Sequence, residues 1–239
     1  MIFIGTSGFF YNHWRNVFYP SDLSQSKWLQ YYSDFFKTIE INSTFYGFPN
    51  ESSLAKWYKE TPKGFLFSLK GSRFITHVKR LHNVEDSLGI FINRAILLKE
   101  KLGIILWQFP NNFKFDLDRL GKFLELLSKY QNRYAFEFRN EDWFNDKTYA
   151  LLEKYKVSLV ISDSPSFPRA EIIAADFVYI RFHGGKVLYG SEYSEKELRQ
   201  WAMKIKDWSR DKDVFIYFNN DAYGYAIKDA KQLIGILKL

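Results

Sequence analysis

Cysteine is absent from the 239-residue chain. Disulfides, thiolate metal sites, iron–sulfur clusters and cysteine nucleophiles are excluded together, so any ligand or nucleophile must be oxygen or nitrogen. Proline is scarce as well: its six copies fall at loop-like positions, and no low-complexity tract marks a linker. No apolar run approaches the roughly 18 residues that a membrane span needs. Met1-Ile2-Phe3-Ile4-Gly5 places no basic region ahead of an apolar stretch. These absences predict one cytoplasmic domain over residues 1–239, without a secretory leader and without membrane association. The turn Gly5-Thr6-Ser7-Gly8 lacks the G-x-G-x-x-G dinucleotide fingerprint, and no H-x-H or H-E-x-x-H spacing occurs.

What remains is a globular composition, 46% apolar and 26% charged, able to bury a sizeable core. Lys and Arg exceed Asp and Glu by 34 to 27, a formal charge of +7. That balance favours anionic partners, phosphates or nucleic acid, and also serves plain solubility. Aromatic residues reach 20%, more than one core ordinarily uses, so some rings are expected to line a surface where sugars or bases stack.

Short runs rich in Ile, Val, Phe and Tyr recur at nearly even spacing and predict eight strands: 2–5, 38–41, 65–69, 103–109, 134–138, 158–161, 177–182 and 214–218. Amphipathic helices alternate with them. Val84 to Lys101 carries Leu88, Phe91, Ile92, Ala95 and Leu98 on one stripe, and Asp116 and Ser194 supply helix start signals. The segment holding Pro165 and Pro168 has the weakest helical pattern. Eight strand–helix alternations predict an α/β fold, a single (β/α)8 TIM-type barrel, with an open doubly wound sheet as the alternative.

In such a barrel the chemistry sits at the carboxyl ends of the strands. Those ends read Thr6 and Ser7; Glu40 and Asn42; Ser68 and Lys70; Gln108; Glu137 and Arg139; Ser162 and Asp163; Arg181 and His183; Asn219, Asn220 and Asp221. Side chains alternate along a strand, so Thr38, Glu40 and Asn42 share the face opposite Ile39 and Ile41. The same parity groups Glu137 with Arg139, Ser68 with Lys70, Tyr179 with Arg181 and His183, and Tyr217 with Asn219 and Asp221. One reading is an ion-pair network that caps the barrel. The other is a working site.

Three chemistries compete. Glu40 and Glu137 suit acid and base on a glycosidic bond, although adjacent arginines would keep both ionised. Glu40, Glu137, Asp163, His183 and Asp221 are hard donors for a divalent metal, which Arg139 and Arg181 would repel. Arg139, Arg181, Lys70 and His183 suit an oxyanion clamp. Lys70 as a Schiff-base nucleophile is a further variant, weakened because a lysine beside glutamates stays protonated. The aromatic segment 9–20 reads equally as a lid or as a satellite cluster under a loop.

At these residues the chain resembles the YecE-like proteins, domain of unknown function 72. The marks are Gly5-Thr6-Ser7-Gly8 with Trp14 and Phe18-Tyr19-Pro20, Glu40-Ile41-Asn42-Ser43-Thr44-Phe45-Tyr46 with Pro49, and Lys70 with Thr76-His77. They continue through Gln108-Phe109-Pro110, Glu137-Phe138-Arg139 with Trp143, Tyr179-Ile180-Arg181-Phe182-His183-Gly184, and Phe218-Asn219-Asn220-Asp221 with Gly224 and Ala226. The chain departs from the pattern at Phe9, Asn16, Gly47 and Asn140. The resemblance implies a TIM-type barrel and adds Tyr46 and His77 to the candidates; it delivers no reaction or cofactor.

The expectation is an enzyme, of hydrolase type, acting on a polar anionic substrate, phosphorylated or nucleic-acid-like. Glu40, Glu137, Lys70 and His183 are its catalytic candidates. Thr6, Ser7, Asn42, Tyr46, His77, Gln108, Arg139, Asp163, Tyr179, Arg181, Asn219, Asn220 and Asp221 are its substrate-binding candidates. A non-catalytic module for nucleic acid or sugar, and a glycosidase-like hydrolase, are the alternatives. A divalent metal remains an option, and the oligomeric state is open.

Overall fold

The computed structural model describes residues 1–239. Nine strands are all parallel to their partners: β1 (Ile2–Thr6), β2 (Thr38–Ile41), β3 (Leu66–Lys70), β4 (Leu102–Gln108), β5 (Arg133–Glu137), β6 (Ser158–Leu159), β7 (Ile161–Asp163), β8 (Phe177–Phe182) and β9 (Asp213–Phe218). Eight α-helices fall between and after them: α1 (Trp28–Phe35), α2 (Ser43–Tyr46), α3 (Glu51–Glu60), α4 (Glu85–Ala95), α5 (Leu117–Leu127), α6 (Asp146–Lys154), α7 (Glu195–Trp208) and α8 (Tyr225–Leu237). No helix is long and apolar enough to cross a membrane.

The strands form two sheets, in the orders β1-β9-β8-β7 and β2-β3-β4-β5-β6. They approach each other at two places. Ser7 bridges Glu40, reinforced by the Gly8 N–H donating to the Glu40 carbonyl at 2.8 Å. Between β6 and β7 only Val160 intervenes, its N–H donating to Phe136 O at 2.9 Å. The expected sixth strand, 158–161, is thus broken at Val160 and runs on to Asp163. The expected helix after it does not form: residues 164–176 carry no helix or strand. Two prolines in the first five residues of that segment remove amide donors and disfavour the helical region for the residues before them.

Elsewhere the local signals act as expected. Ser194 and Glu197 close a capping box at α7, and Asp116 accepts from Arg119 N–H at 2.9 Å to start α5. The helix expected over 84–101 is α4 followed by a 3-10 turn from Ile96 to Lys101, where Lys99 takes φ 51°. That positive-φ residue breaks the 3-10 turn and redirects the chain into β4. Gly5 is needed for close approach: a Cβ there would collide with the Thr38 carbonyl of the neighbouring strand.

Apolar side chains separate into two clusters. The larger lies between strands and helices, and the smaller consists of Phe3, Ile104, Leu106, Ala135, Val160, Phe177, Tyr179, Phe215 and Tyr217 on the opposite strand faces. Phe3 stacks on Phe215 at 4.7 Å at the amino ends of these strands. Apolar packing there leaves the carboxyl ends as the polar face.

Candidate functional site

Register sets the site. Glu40 pairs with Ser68, Gln108 with Glu137, and Ser162 with Arg181, so inward polar residues of six strands gather toward the carboxyl ends. Arg181, fully buried, bridges the two acids: Nη2 donates to Glu40 Oε1 at 2.7 Å and Nη1 to Glu137 Oε2 at 2.6 Å. Glu40 also accepts from Ser7 Oγ at 2.5 Å and from the Tyr179 hydroxyl at 2.7 Å. Glu137 also accepts from Ser162 Oγ at 3.1 Å and from His183 Nε2 at 2.8 Å. Tyr217, one layer below, shares its hydroxyl with Thr38 at 2.6 Å and Ser68 at 2.8 Å.

The electrostatics follow from burial and pairing. Burial alone would raise Glu137, but Arg181, Arg139 and the His183 bond hold its carboxyl well below the ordinary value. Burial opposes the Arg181 charge too, and Glu137 and Glu40 reverse that, raising it. Burial lowers His183 against the pull of Glu137. Asn219 Nδ2 donates to His183 Nδ1 at 3.1 Å, so the ring is neutral and its Nε2–H donates to Glu137.

Above this layer opens a cavity of about 760 Å³ lined by Tyr11, Asn42, Phe45, Tyr46, Lys70, Arg73, His77, Gln108, Arg139, Arg181, Tyr189, Asn219, Asp221 and Ala222. Lys70 has no hydrogen-bond or ion-pair partner for its amine, and its Nζ lies 4.1 Å from the Phe45 ring centre. Burial, then the Arg181 charge, pushes the amine down to about 7. Burial, followed by Lys70 and Arg73, lowers His77 to about 4; it is therefore neutral and bonded to Thr76 Oγ1 at 2.8 Å. Arg139 donates to the Tyr189 hydroxyl at 3.1 Å and lies over Phe167 at 4.1 Å. Three buried polar atoms on this wall have no partner: Asn42 Oδ1, Arg139 Nε and Arg181 Nε.

Asp221, the one carboxylate on the wall, is already engaged. Trp14 Nε1 donates to it at 2.8 Å and His13 Nε2 lies 2.9 Å away. Burial raises it to about 6 despite these bonds.

Of the sequence candidates, Asn42, Tyr46, Lys70, His77, Gln108, Arg139, Arg181, Asn219 and Asp221 line the cavity. Glu40, Glu137, His183, Ser7 and Tyr179 lie beneath it, fully buried or nearly so. Three others face elsewhere, and parity is the reason. Thr6 follows inward Gly5, so its hydroxyl meets Tyr32 of α1 at 3.0 Å. Asp163 follows inward Ser162 and pairs outside with Arg169 at 2.6 Å. Asn220, between inward Asn219 and Asp221, donates to Asp229 of α8 at 2.6 Å. The aromatic segment is mainly packing: Trp14 is buried, and Tyr19 stacks on Trp28 at 4.4 Å. Only its Tyr11 reaches the cavity wall. Sequence reasoning missed Arg73, Tyr189 and His13, all on loops or short turns without periodicity; Tyr11, within the segment read as lid or packing cluster, and Phe45, inside the family motif, carried a signal.

No group of three or more His, Asp or Glu side chains is arranged to hold a metal ion. Glu40 and Glu137, the obvious donors, have Arg181 between them.

The family described as "Protein of unknown function DUF72" matches residues 3–239. The chain belongs to the DUF72 family. Among relatives, the UPF0759 protein YunF of Bacillus subtilis is 26% identical, covering 100% of this chain and 95% of its own length. YecE of Escherichia coli is 24% identical over 92% of this chain and 86% of its own. A DUF72 family protein of Thermotoga maritima superposes with a TM-score of 0.88 at 31% identity, covering both chains fully. D-psicose 3-epimerase, crystallised with D-tagatose, has a TM-score of 0.61 at 8% identity over 98% of this chain and 97% of its own, a likeness of fold alone.

Proposed function

We propose that this DUF72 protein is an enzyme acting on a small anionic substrate, phosphorylated or carboxylate-bearing, bound at the carboxyl end of a (β/α)8 barrel. The barrel reading treats the two sheets as one ring, joined at the Ser7–Glu40 bridge and across Val160. The likeness in fold to D-psicose 3-epimerase supports it.

One observation carries the functional reading: Arg139, whose buried Nε has no partner, shares the wall of the cavity with Lys70 and Arg73, and no carboxylate there pairs with any of the three. Buried donors ordinarily have partners, and guanidiniums bind oxyanions with paired donors. The cavity volume falls within the roughly 300–1,000 Å³ of small-molecule sites, which favours a monophosphate or nucleotide over a polymer. Glu40 and Glu137 then orient Arg181 and His183. Their burial and full set of partners weigh against a glycosidase, whose acid and base must reach a sugar.

A second reading, a non-catalytic binding module, draws on Tyr46, 81% exposed at the cavity rim and able to stack on a sugar or base.

Titration calorimetry with inorganic phosphate and pyrophosphate at low salt tests the reading. Binding is expected, weakened at least about tenfold in Arg139→Met, since a charge-assisted bond contributes ~1.5–3 kcal/mol. Absence of binding by phosphate, pyrophosphate and simple carboxylates would refute it. A steep salt slope with oligonucleotides would instead favour the nucleic-acid module.

A further inference from the structure

We propose that Lys70 forms an imine with the carbonyl carbon of its substrate, so that the substrate is an aldehyde or ketone that also carries a phosphate. The inference rests on the oxyanion-clamp reading and specifies its substrate class.

The argument begins with what holds Lys70 and what does not. Its backbone is fixed: it pairs with Leu106 across β3 and β4, and its carbonyl accepts from Thr44 Oγ1 at 2.7 Å. Its amine is free, with no hydrogen-bond acceptor and no carboxylate in contact, 4.1 Å from the Phe45 ring centre on the cavity wall. Parity alone would set this lysine among glutamates that keep it protonated. The structure separates them, because Arg181 takes up both Glu40 and Glu137 and presents a like charge toward Lys70. The depressed amine, near 7, is the expected consequence, and a neutral amine is the nucleophilic form.

The remaining parts of imine chemistry share the wall. The Lys70 nitrogen lone pair attacks the carbonyl carbon, forming the C–N bond while the C=O π pair moves to oxygen. That oxygen takes up a proton as the nitrogen loses one, giving a neutral carbinolamine. Loss of the hydroxyl as water, with one further proton, leaves the protonated imine. Tyr189 can supply that proton: its oxygen accepts from Arg139, which leaves its own O–H free to donate. Arg73 and Arg139 hold the phosphate.

The test uses pyridoxal 5′-phosphate, an aldehyde bearing a phosphate, followed by borohydride reduction and peptide mapping of the wild-type chain. Labelling concentrated at Lys70 is expected, at least fivefold slower with excess inorganic phosphate and at least tenfold slower with phosphate-free pyridoxal. Its rate should be half-maximal near pH 7, while exposed lysines still gain reactivity above pH 9. Lys70→Arg should lose that peptide's label. Labels spread over surface lysines with no preference for Lys70 would overturn the inference, even where calorimetry shows phosphate bound. Lys70 labelled equally by pyridoxal, without phosphate protection, would overturn the carbonyl-phosphate substrate and the clamp together.

Discussion

Arg181 and Glu137 form a 2.6 Å ion pair in which neither side chain is open to water. A buried pair is costly to break because the remaining charge has nowhere to go. Arg181→Met strands two carboxylates, Glu40 and Glu137, and should lower unfolding free energy by ~3–5 kcal/mol. Adding Glu40→Gln and Glu137→Gln to it should recover part of that loss. Urea denaturation of the single and triple variants measures both; a single variant as stable as wild type would show that the network contributes little.

The same pair sets the acid limb of stability. Glu137 is held well below its ordinary value of 4.5 in the fold, so on acidification the unfolded chain takes up its proton first. Its contribution is complete above about pH 4.5 and is lost as pH falls toward the folded value. His77 acts earlier in the descent: with a folded value of about 4 against 6.5, it loses stability as pH falls through that window. Melting curves of His77→Gln should be flatter between pH 6.5 and 4, and those of Glu137→Gln flatter below 4.5.

Lys70 has the opposite economy, since its position costs the fold stability at neutral pH. The folded amine titrates near 7 and the ordinary one at 10.5. Between these values the unfolded chain holds the extra proton, so wild-type stability rises with pH across the window. Lys70→Met should be more stable than wild type by ~1–2 kcal/mol at pH 7, the pattern of a functional residue kept at a stability cost. The advantage should vanish toward pH 10.5. Chemical denaturation at the two pH values decides it, and a less stable variant at pH 7 would contradict it.

Asp229 in α8 offers an independent check away from the cavity. Burial raises it to about 6 against the lowering bonds from Asn220 and Tyr193 N–H. The fold therefore binds its proton more tightly than the unfolded chain does, and stability falls as pH rises from 3.8 through 6. Asn keeps an acceptor for both donors without the charge. Asp229→Asn should gain ~1–2 kcal/mol at pH 8 and nothing near pH 3.5, as read from denaturant midpoints.

Much of this arrangement was legible in the chain because strand alternation is a local rule. Tyr179, Arg181 and His183 on one face, with Glu40 and Glu137 on others, could be assembled once the strands were found. The same parity, applied to Ser162 and Asn219, turns Asp163 and Asn220 outward, where Arg169 and Asp229 hold them. What alternation cannot reach is the loops. Tyr189, with φ 60°, and Arg73, beside a π-helical turn at Phe74–Val78, are placed by backbone turns that carry no periodic signal. The break at Val160 was equally hidden, since a single apolar residue between two short strands reads as continuous strand.

The segment 164–176, where the expected helix is missing, also delivers Phe167 to the site, edge-on to His183 at 5.6 Å and under the Arg139 guanidinium at 4.1 Å. A connection without a packed helical stripe tolerates changes in length and sequence with little penalty to the core. Relatives built on the same frame can therefore retune what contacts the arginine and the imidazole by redrawing this one stretch. Comparative work on ligand preference should begin there.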